Sequence, residues 1–448
     1  MRLAVRNALY GENLMKKKYY LRFFTVFIIL ISIPYSGCSD DGSHDSIRVR
    51  VVTDDGKEIA DSTVVLGNPD GSMVSFGTTD ATGSICFQNP PINATVTAAV
   101  DCQGYSGYSY DYYFLAAAYD VNIPEITLTL YDCSNDFVSG TLNVNVTDGV
   151  SGIDYREVTV GGLTYGGDSH SFSLYVGSYF FQSDGKFSVV AVGYDADDNA
   201  IGYGLLLDQT FYDGVTVDVT IDSTDIGQID YFMENIPESA TEYILQNPIK
   251  RKDADTYVFG VWGDAPVPSS VSLPYILDFG DSYSFIVSLP IDSDRDGSAD
   301  SRVMVHKKSL TQSNQTFDFS KTPLIPTNLA FSMAKPDCPT ISWNGRDASS
   351  QFIWLYLSFN ISSPVKSYFS YSLVLPPSRT SIIFPELPET LAIFRPSDYK
   401  DLDISTYNYD IYSGYADYLK KTDMYYSGIY KEPAESILRF SKTGISKP

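Results

Sequence analysis

From Ser46 onward, hydrophobic and polar positions alternate with a period of two along most of the chain. Ile47-Arg48-Val49-Arg50-Val51 and Val215-Thr216-Val217-Asp218-Val219 are clear instances. Successive side chains of a strand point to opposite faces, so this pattern buries one face and wets the other. Turns rich in Gly, Asp and Asn recur about every eight to twelve residues, the spacing of antiparallel sandwiches. Few windows carry a helical period; Ile236 to Leu245 is one candidate for a short helix. The pattern therefore predicts an all-β protein made of tandem antiparallel β-sandwich domains.

The pattern divides the chain into segments at 46–134, 137–222, 223–322 and 323–448. The second echoes the first. Leu142 to Gly149 repeats its opening strand and turn, Phe187 to Val192 repeats Thr95 to Val100, and Val215 to Val219 repeats its closing strand. Segment three alternates less regularly and is expected to be an irregular β domain.

The first 37 residues follow another rule. Lys16, Lys17, Lys18 and Arg22 precede an apolar run from Phe23 to Ile33, too short for the ~20 residues of a spanning helix. A basic region, a short apolar core and small residues before a Cys read as an export signal, with Met15 an alternative start. Ser36-Gly37-Cys38 resembles the lipobox of bacterial lipoproteins, although Tyr35 stands where that family usually has an aliphatic residue. The resemblance implies lipidation of Cys38, with 38–45 as an acidic linker, and an outer-membrane lipoprotein facing the periplasm or the cell surface.

Two further resemblances cover the sandwiches. The Gly56 turn, the Ala60-to-Val65 strand and Thr78-Thr79-Asp80-Ala81-Thr82-Gly83 resemble the carboxypeptidase regulatory-like (transthyretin-like) domain, a non-catalytic module. Ile341-Ser342-Trp343, Phe352 to Leu357 and Leu387-Pro388 resemble a fibronectin type III sandwich, which implies a core role for Trp343. Other immunoglobulin-like sandwiches fit nearly as well.

Composition narrows the chemistry. The chain has 448 residues, with 31 Lys and Arg against 55 Asp and Glu, and a net charge of −24. So acidic a chain repels phosphate, which excludes nucleic acid as a partner. Three His and no zinc-type spacing argue against a transition-metal enzyme. Of the cysteines, Cys102 and Cys133 are the favoured disulfide pair; Cys86 is a buried thiol or an alternative partner.

Asp292-Ser293-Asp294-Arg295-Asp296-Gly297-Ser298-Ala299-Asp300 places oxygen ligands at the spacing of a calcium loop, with Gly at the turn. Asp292, Asp294, Asp296, Ser298 and Asp300 are the candidate ligands of a structural Ca²⁺, and a hairpin with an acidic tip is the plainer reading. Asp195, Asp197, Asp198 and Asn199 lack that spacing and read as a solvated turn. Phe279-Gly280-Asp281-Ser282 is similar to the nucleophile block of GDSL-type esterases, but the surroundings alternate as strands and no matching Asp-x-x-His follows. No enzyme activity is expected. The expected role is a structural or adhesive module array. The alternative is a carbohydrate-binding lipoprotein, with Trp262, Trp354 or the Tyr-rich tail after Tyr399 as glycan contacts.

Overall fold

The computed structural model describes residues 46–53, 56–102, 111–130, 139–177, 181, 185–251, 254–276, 280–292, 299–309, 311, 313–321, 326–333, 338–345, 350–361, 367–394, 401–407, 412–420 and 438–446, for the last of which only the backbone is described. Strands dominate. The first unit holds β1 (Ser46–Thr53), β2 (Thr63–Gly67), β3 (Met73–Thr78), β4 (Ser84–Gln88), β5 (Ala94–Cys102), β6 (Asp111–Val121) and β7 (Glu125–Leu130). The second holds β8 (Ser139–Asp148), β9 (Tyr155–Val160), β10 (Leu163–Gly167), β11 (Ser171–Gly177), β12 (Lys186–Tyr194), β13 (Ala200–Thr210) and β14 (Val215–Ile221). The third holds β15 (Ile226–Glu234), β16 (Glu242–Arg251), β17 (Ala254–Asp264), β18 (Ser270–Ile276), β19 (Ser282–Ile291), β20 (Ser301–Ser309) and β21 (Gln315–Asp318).

These three units have one topology. Unit one sets β4-β1-β7 against β6-β5-β2-β3; unit two sets β11-β8-β14 against β13-β12-β9-β10; unit three sets β18-β15-β21 against β20-β19-β16-β17. In each, the first and last strands pair in parallel. Segment three, the least regular in sequence, is thus a third copy of the same strand order. Its expected helix is absent: Ile236 to Thr241 is a turn, and β16 begins at Glu242. Pro237 opens that turn, and the Ala240 N–H bonds its carbonyl at 3.1 Å.

The fourth unit holds β22 (Thr327–Ser332), β23 (Thr340–Asn344), β24 (Phe352–Ile361), β25 (Ser367–Leu375), β26 (Ser381–Ile383), β27 (Asp401–Tyr407), the short helix α1 (Tyr415–Lys420) and β28 (Leu438–Ser446). It sets β22-β23-β26 against β28-β27-β24-β25, an immunoglobulin-like three-on-four sandwich. Trp343 is buried in it, as expected of a core Trp.

The four-stranded sheets of units three, four and one join edge to edge into one twelve-stranded sheet. β25 pairs in parallel with β6, from Ser367 opposite Asp111 to Val374 opposite Ala118. β28 pairs with β20 on one side and β27 on the other. Period two explains how unit one serves two cores. Val64 and Leu66 point into its own sandwich, while Val65 between them joins Tyr113, Leu115, Ala117 and Tyr119 against the interior of unit four. Unit two stays outside the joint sheet. It packs the outer face of β12 and β13, through Val190, Val192, Leu205 and Leu207, on the core of unit three.

Candidate functional site

At the seam between units one and four an ion pair, two tyrosines and a cavity meet. β5 and β6 lose register between Ala94 and Val96. The bulge puts Asp120 at φ 55°, a left-handed position that Asp tolerates better than most residues. Its carboxylate then faces Arg379, on the turn between β25 and β26. Arg379 Nε donates to Oδ2 at 2.7 Å and Nη2 to Oδ1 at 2.5 Å, a bidentate pair with both side chains about four-fifths buried. The Asp120 hydrogen bond holds the guanidinium pKa above its ordinary value.

Two tyrosines brace this pair. The guanidinium lies 5.8 Å from the centroid of the fully buried Tyr119 ring, and the Tyr119 hydroxyl donates to the Ile383 carbonyl at 3.2 Å. The Tyr415 hydroxyl sits 2.5 Å from the Tyr119 carbonyl and 3.1 Å from that of Val374, and it accepts the Tyr119 N–H at 3.2 Å. Burial raises both phenol pKa values well above the ordinary tyrosine range, so neither serves as a base near neutrality.

Above the pair opens a cavity of about 450 Å³. Asn93, Asn122 and Ser378 give it an exposed polar rim, while Ile123, Pro376 and Leu419 supply apolar wall. The two residues hold each other: the Asn93 backbone N–H donates to Asn122 Oδ1 at 2.7 Å, and Asn122 Nδ2 to Asn93 Oδ1 at 2.5 Å. No His, Lys or Cys is among the described lining residues. The one carboxylate is committed to Arg379. The cavity therefore offers neutral hydrogen-bonding groups and apolar surface, not an acid–base pair.

A second seam uses the same device. β12 and β13 lose register between Phe187 and Val189, and Asp208 takes φ 57° there. Arg251, at the end of β16, donates from Nη2 to Oδ2 at 2.9 Å and from Nε to Oδ1 at 3.3 Å. Within unit two, Asp148 holds the buried Arg156 through both oxygens, and His170 Nε2 lies 3.2 Å from Oδ2. His170, just before β11, is thus tied to this ion pair.

The residues singled out from sequence are scattered. Trp262 on β17 is 84% exposed. Trp354 is half-buried against the unit-one core, with Nε1 donating to Ser372 Oγ at 2.7 Å. Tyr412 and Tyr418, from the Tyr-rich tail, are buried, and Tyr418 stacks on Phe352 with ring centroids 3.9 Å apart. Ser282 opens β19, whereas His306 on β20 lies opposite Ile286. Four residues along a strand separate the two by about 13 Å, which leaves Ser282 without that base. Asp195 accepts the N–H groups of Asp197 and Asn199 at 3.0 and 2.9 Å, and those bonds lower its pKa, as in a solvated turn.

Asp292 and Asp300 bracket the β19–β20 hairpin loop; Asp292 N–H donates to the Ser239 carbonyl at 3.0 Å and Asp300 N–H to that of Ile291 at 3.1 Å. Asp294, Asp296 and Ser298 lie outside the described residues, as do Cys38 and Cys133; Cys102 ends β5 with its side chain not described. Among the described residues no cluster of three or more His, Cys, Asp or Glu is placed to hold a metal. Cys86 is disulfide-bonded, which corrects its reading as a buried thiol and leaves its alternative reading, a disulfide partner. The seam pairs Asp120–Arg379 and Asp208–Arg251 were not anticipated. An Asp near the end of a strand beside a register break was the available signal, but the Arg that answers it comes from a different unit.

No protein-family model matches the chain, and no curated protein matches it. Among solved structures, it is similar to the shaft pilin SpaA from Lactobacillus rhamnosus GG, at 11% identity over 40% of this chain and 98% of that one, with a TM-score of 0.15. It is similar to BcpA, the major pilin subunit of Bacillus cereus, at 10% identity over 61% and 98%, with a TM-score of 0.18. The FN1–FN3 domains of chicken CNTN1 match at 10% identity over 57% and 85%, with a TM-score of 0.14. Scores this low carry no argument, and the all-β tandem-sandwich fold rests on the strand orders given above.

Proposed function

We propose that this chain is a non-catalytic structural or adhesive arm of the cell envelope, anchored through lipid on Cys38. The observation that carries the reading is the twelve-stranded sheet. Sandwiches joined by flexible linkers move independently by default; three units that share one sheet, two of them also sharing a core, transmit force as a single body. The cavity chemistry supports the non-catalytic part, because its carboxylate is locked and its phenol is raised out of range. Labelling with radioactive palmitate, lost on Cys38→Ala, tests the anchor. Protease shaving of intact cells, with a periplasmic control protein, tests the exposure. Digestion with the control intact supports an adhesive arm; protection until the outer membrane is opened supports a scaffold inside the envelope.

Calcium is proposed as a stiffener of the 292–300 loop, on the ligand spacing of its sequence. Millimolar Ca²⁺ should raise the unfolding temperature and chelator lower it, and Asp294→Ala with Asp296→Ala should abolish the difference. No difference in the parent chain would refute the site.

The second reading, capture of glycan, is favoured by one observation. Among the described residues Trp262 is the most exposed large hydrophobic side chain on a strand, and Gly260, two residues before it on the same face, sets no side chain beside it. Trp354, half-buried with Nε1 bonded to Ser372, is the weaker candidate. A glycan array on which Trp262→Ala removes every hit would support this reading.

A further inference from the structure

We infer that the seam cavity between units one and four binds a neutral saccharide. The inference rests on the glycan reading for its ligand class but not for its place. The cavity, about 450 Å³, lies within the ~300–1,000 Å³ of small-ligand sites, which favour domain seams. Charge decides the class. Bidentate pairing with Arg379 neutralises Asp120, and no other ionisable side chain apart from the phenol of Tyr415 lines the described wall. An anionic ligand would find no cation to meet it and would enter against a chain of net charge −24. A cationic ligand would find the carboxylate already taken.

What the wall does offer suits a sugar ring. Asn93, Asn122 and Ser378 sit on the exposed rim as amide and hydroxyl groups. These contacts engage both side-chain carbonyls and Asn122 Nδ2, and they leave Asn93 Nδ2 as the donor for a ligand. Ile123 and Pro376 give the apolar surface on which the C–H face of a pyranose rests. The site is also pre-organised. Asp120, its neighbour Tyr119 and Tyr415 are cross-bonded beneath it, so little ordering accompanies binding.

The test is titration calorimetry of the full chain with glucose, galactose, mannose, N-acetylglucosamine and their disaccharides, beside glucuronate and glucosamine as charged controls. At least one neutral sugar should bind saturably, and the charged counterparts at least about tenfold more weakly. Ala416→Trp and Ser378→Leu fill the mouth from two exposed positions that make no part of the Asp120–Arg379 pair. Each should weaken binding at least about tenfold while the unfolding temperature stays unchanged. Trp262→Ala should leave the affinity as it was. No saturable binding by any neutral sugar overturns the inference. So does binding lost only in Trp262→Ala, which would instead uphold the glycan reading at the other site, and so does a preference for a charged sugar.

Discussion

β6 and β13 are the same strand of the same sandwich, and they meet opposite fates. Each is the outer strand beside a register break, each carries a left-handed Asp, and each Asp grips an Arg of another unit. Yet β6 is extended by β25, whereas β13 folds over onto its own partner sheet. Tyr203 exchanges backbone bonds with Ser223 at 2.8 and 3.1 Å, which closes that edge. The difference lies in two positions. The register places Phe114 and Ala116 of β6 where β13 has Gly202 and Gly204. A Cβ on Gly204 would stand 2.1 Å from the Thr220 carbonyl oxygen, and one on Gly202 would stand 3.0 Å from Ile221 Cγ2. Glycine thus lets β13 collapse against β14, while Phe114 and Ala116 hold β6 out as an edge for pairing. An unprotected edge recruits strands; in this molecule side-chain bulk decides whether it is closed or used.

The comparison breaks most sharply at Gly204→Val. The added side chain has backbone in its way, so unit two should lose about 3 kcal/mol. Hydrogen exchange should localise the loss to β13 and β14; the converse Ala116→Gly should cost only about 1 kcal/mol. Equal costs at the two sites would undo the argument.

Next in size is the shared lock. Asp120→Ala strands a mostly buried guanidinium and should cost about 2 kcal/mol, with a double-mutant cycle against Arg379→Ala giving a coupling of the same order. Asp208→Ala should cost less, because the Arg251 pair is longer and slightly more exposed. A larger loss at Asp208 would reverse the ranking.

The smallest effect is one of pH. At the end of its first strand unit two has Asp148, where unit one has Thr53. Thr53 closes its turn with neutral bonds to Lys57. The Arg156 hydrogen bond, and after it that of His170, hold the Asp148 carboxyl below its ordinary pKa. A depressed folded pKa stabilises above the unfolded value and loses that contribution as pH falls through the folded one. Unit two should therefore weaken below about pH 4 more than unit one, and Asp148→Asn should remove that acid sensitivity. Urea unfolding followed by exchange in β8 and β1 separates the two; parallel acid losses in both strands would count against the assignment.

Much of the fold is legible because strands announce themselves locally. Phe187 to Val192 lies in β12, the counterpart of the β5 strand that holds Thr95 to Val100, and Trp343 sits in a core. Unit three is not legible as a repeat because topology, not residue identity, is what it shares: Asn247 and Ser288 interrupt its buried faces. The seam was illegible for a different reason. Asp120 and Arg379 are 259 residues apart, and a single sequence gives no local trace of which distant group answers a carboxylate. Solvent-facing Trp262 and half-buried Trp354 look alike in sequence, since alternation gives a side but not what later packs there.

The parallel union of β6 with β25 has a consequence for biosynthesis. A chain made from its N-terminus completes β6 about 250 residues before β25 exists. Through that interval the first unit carries an edge shaped for pairing, with Tyr113, Leu115, Ala117 and Tyr119 bare on its flank. Non-local pairings form late, and exposed edges invite the wrong neighbour in the meantime. Until 367–375 emerge, any other strand that pairs with 111–121 competes with the native union.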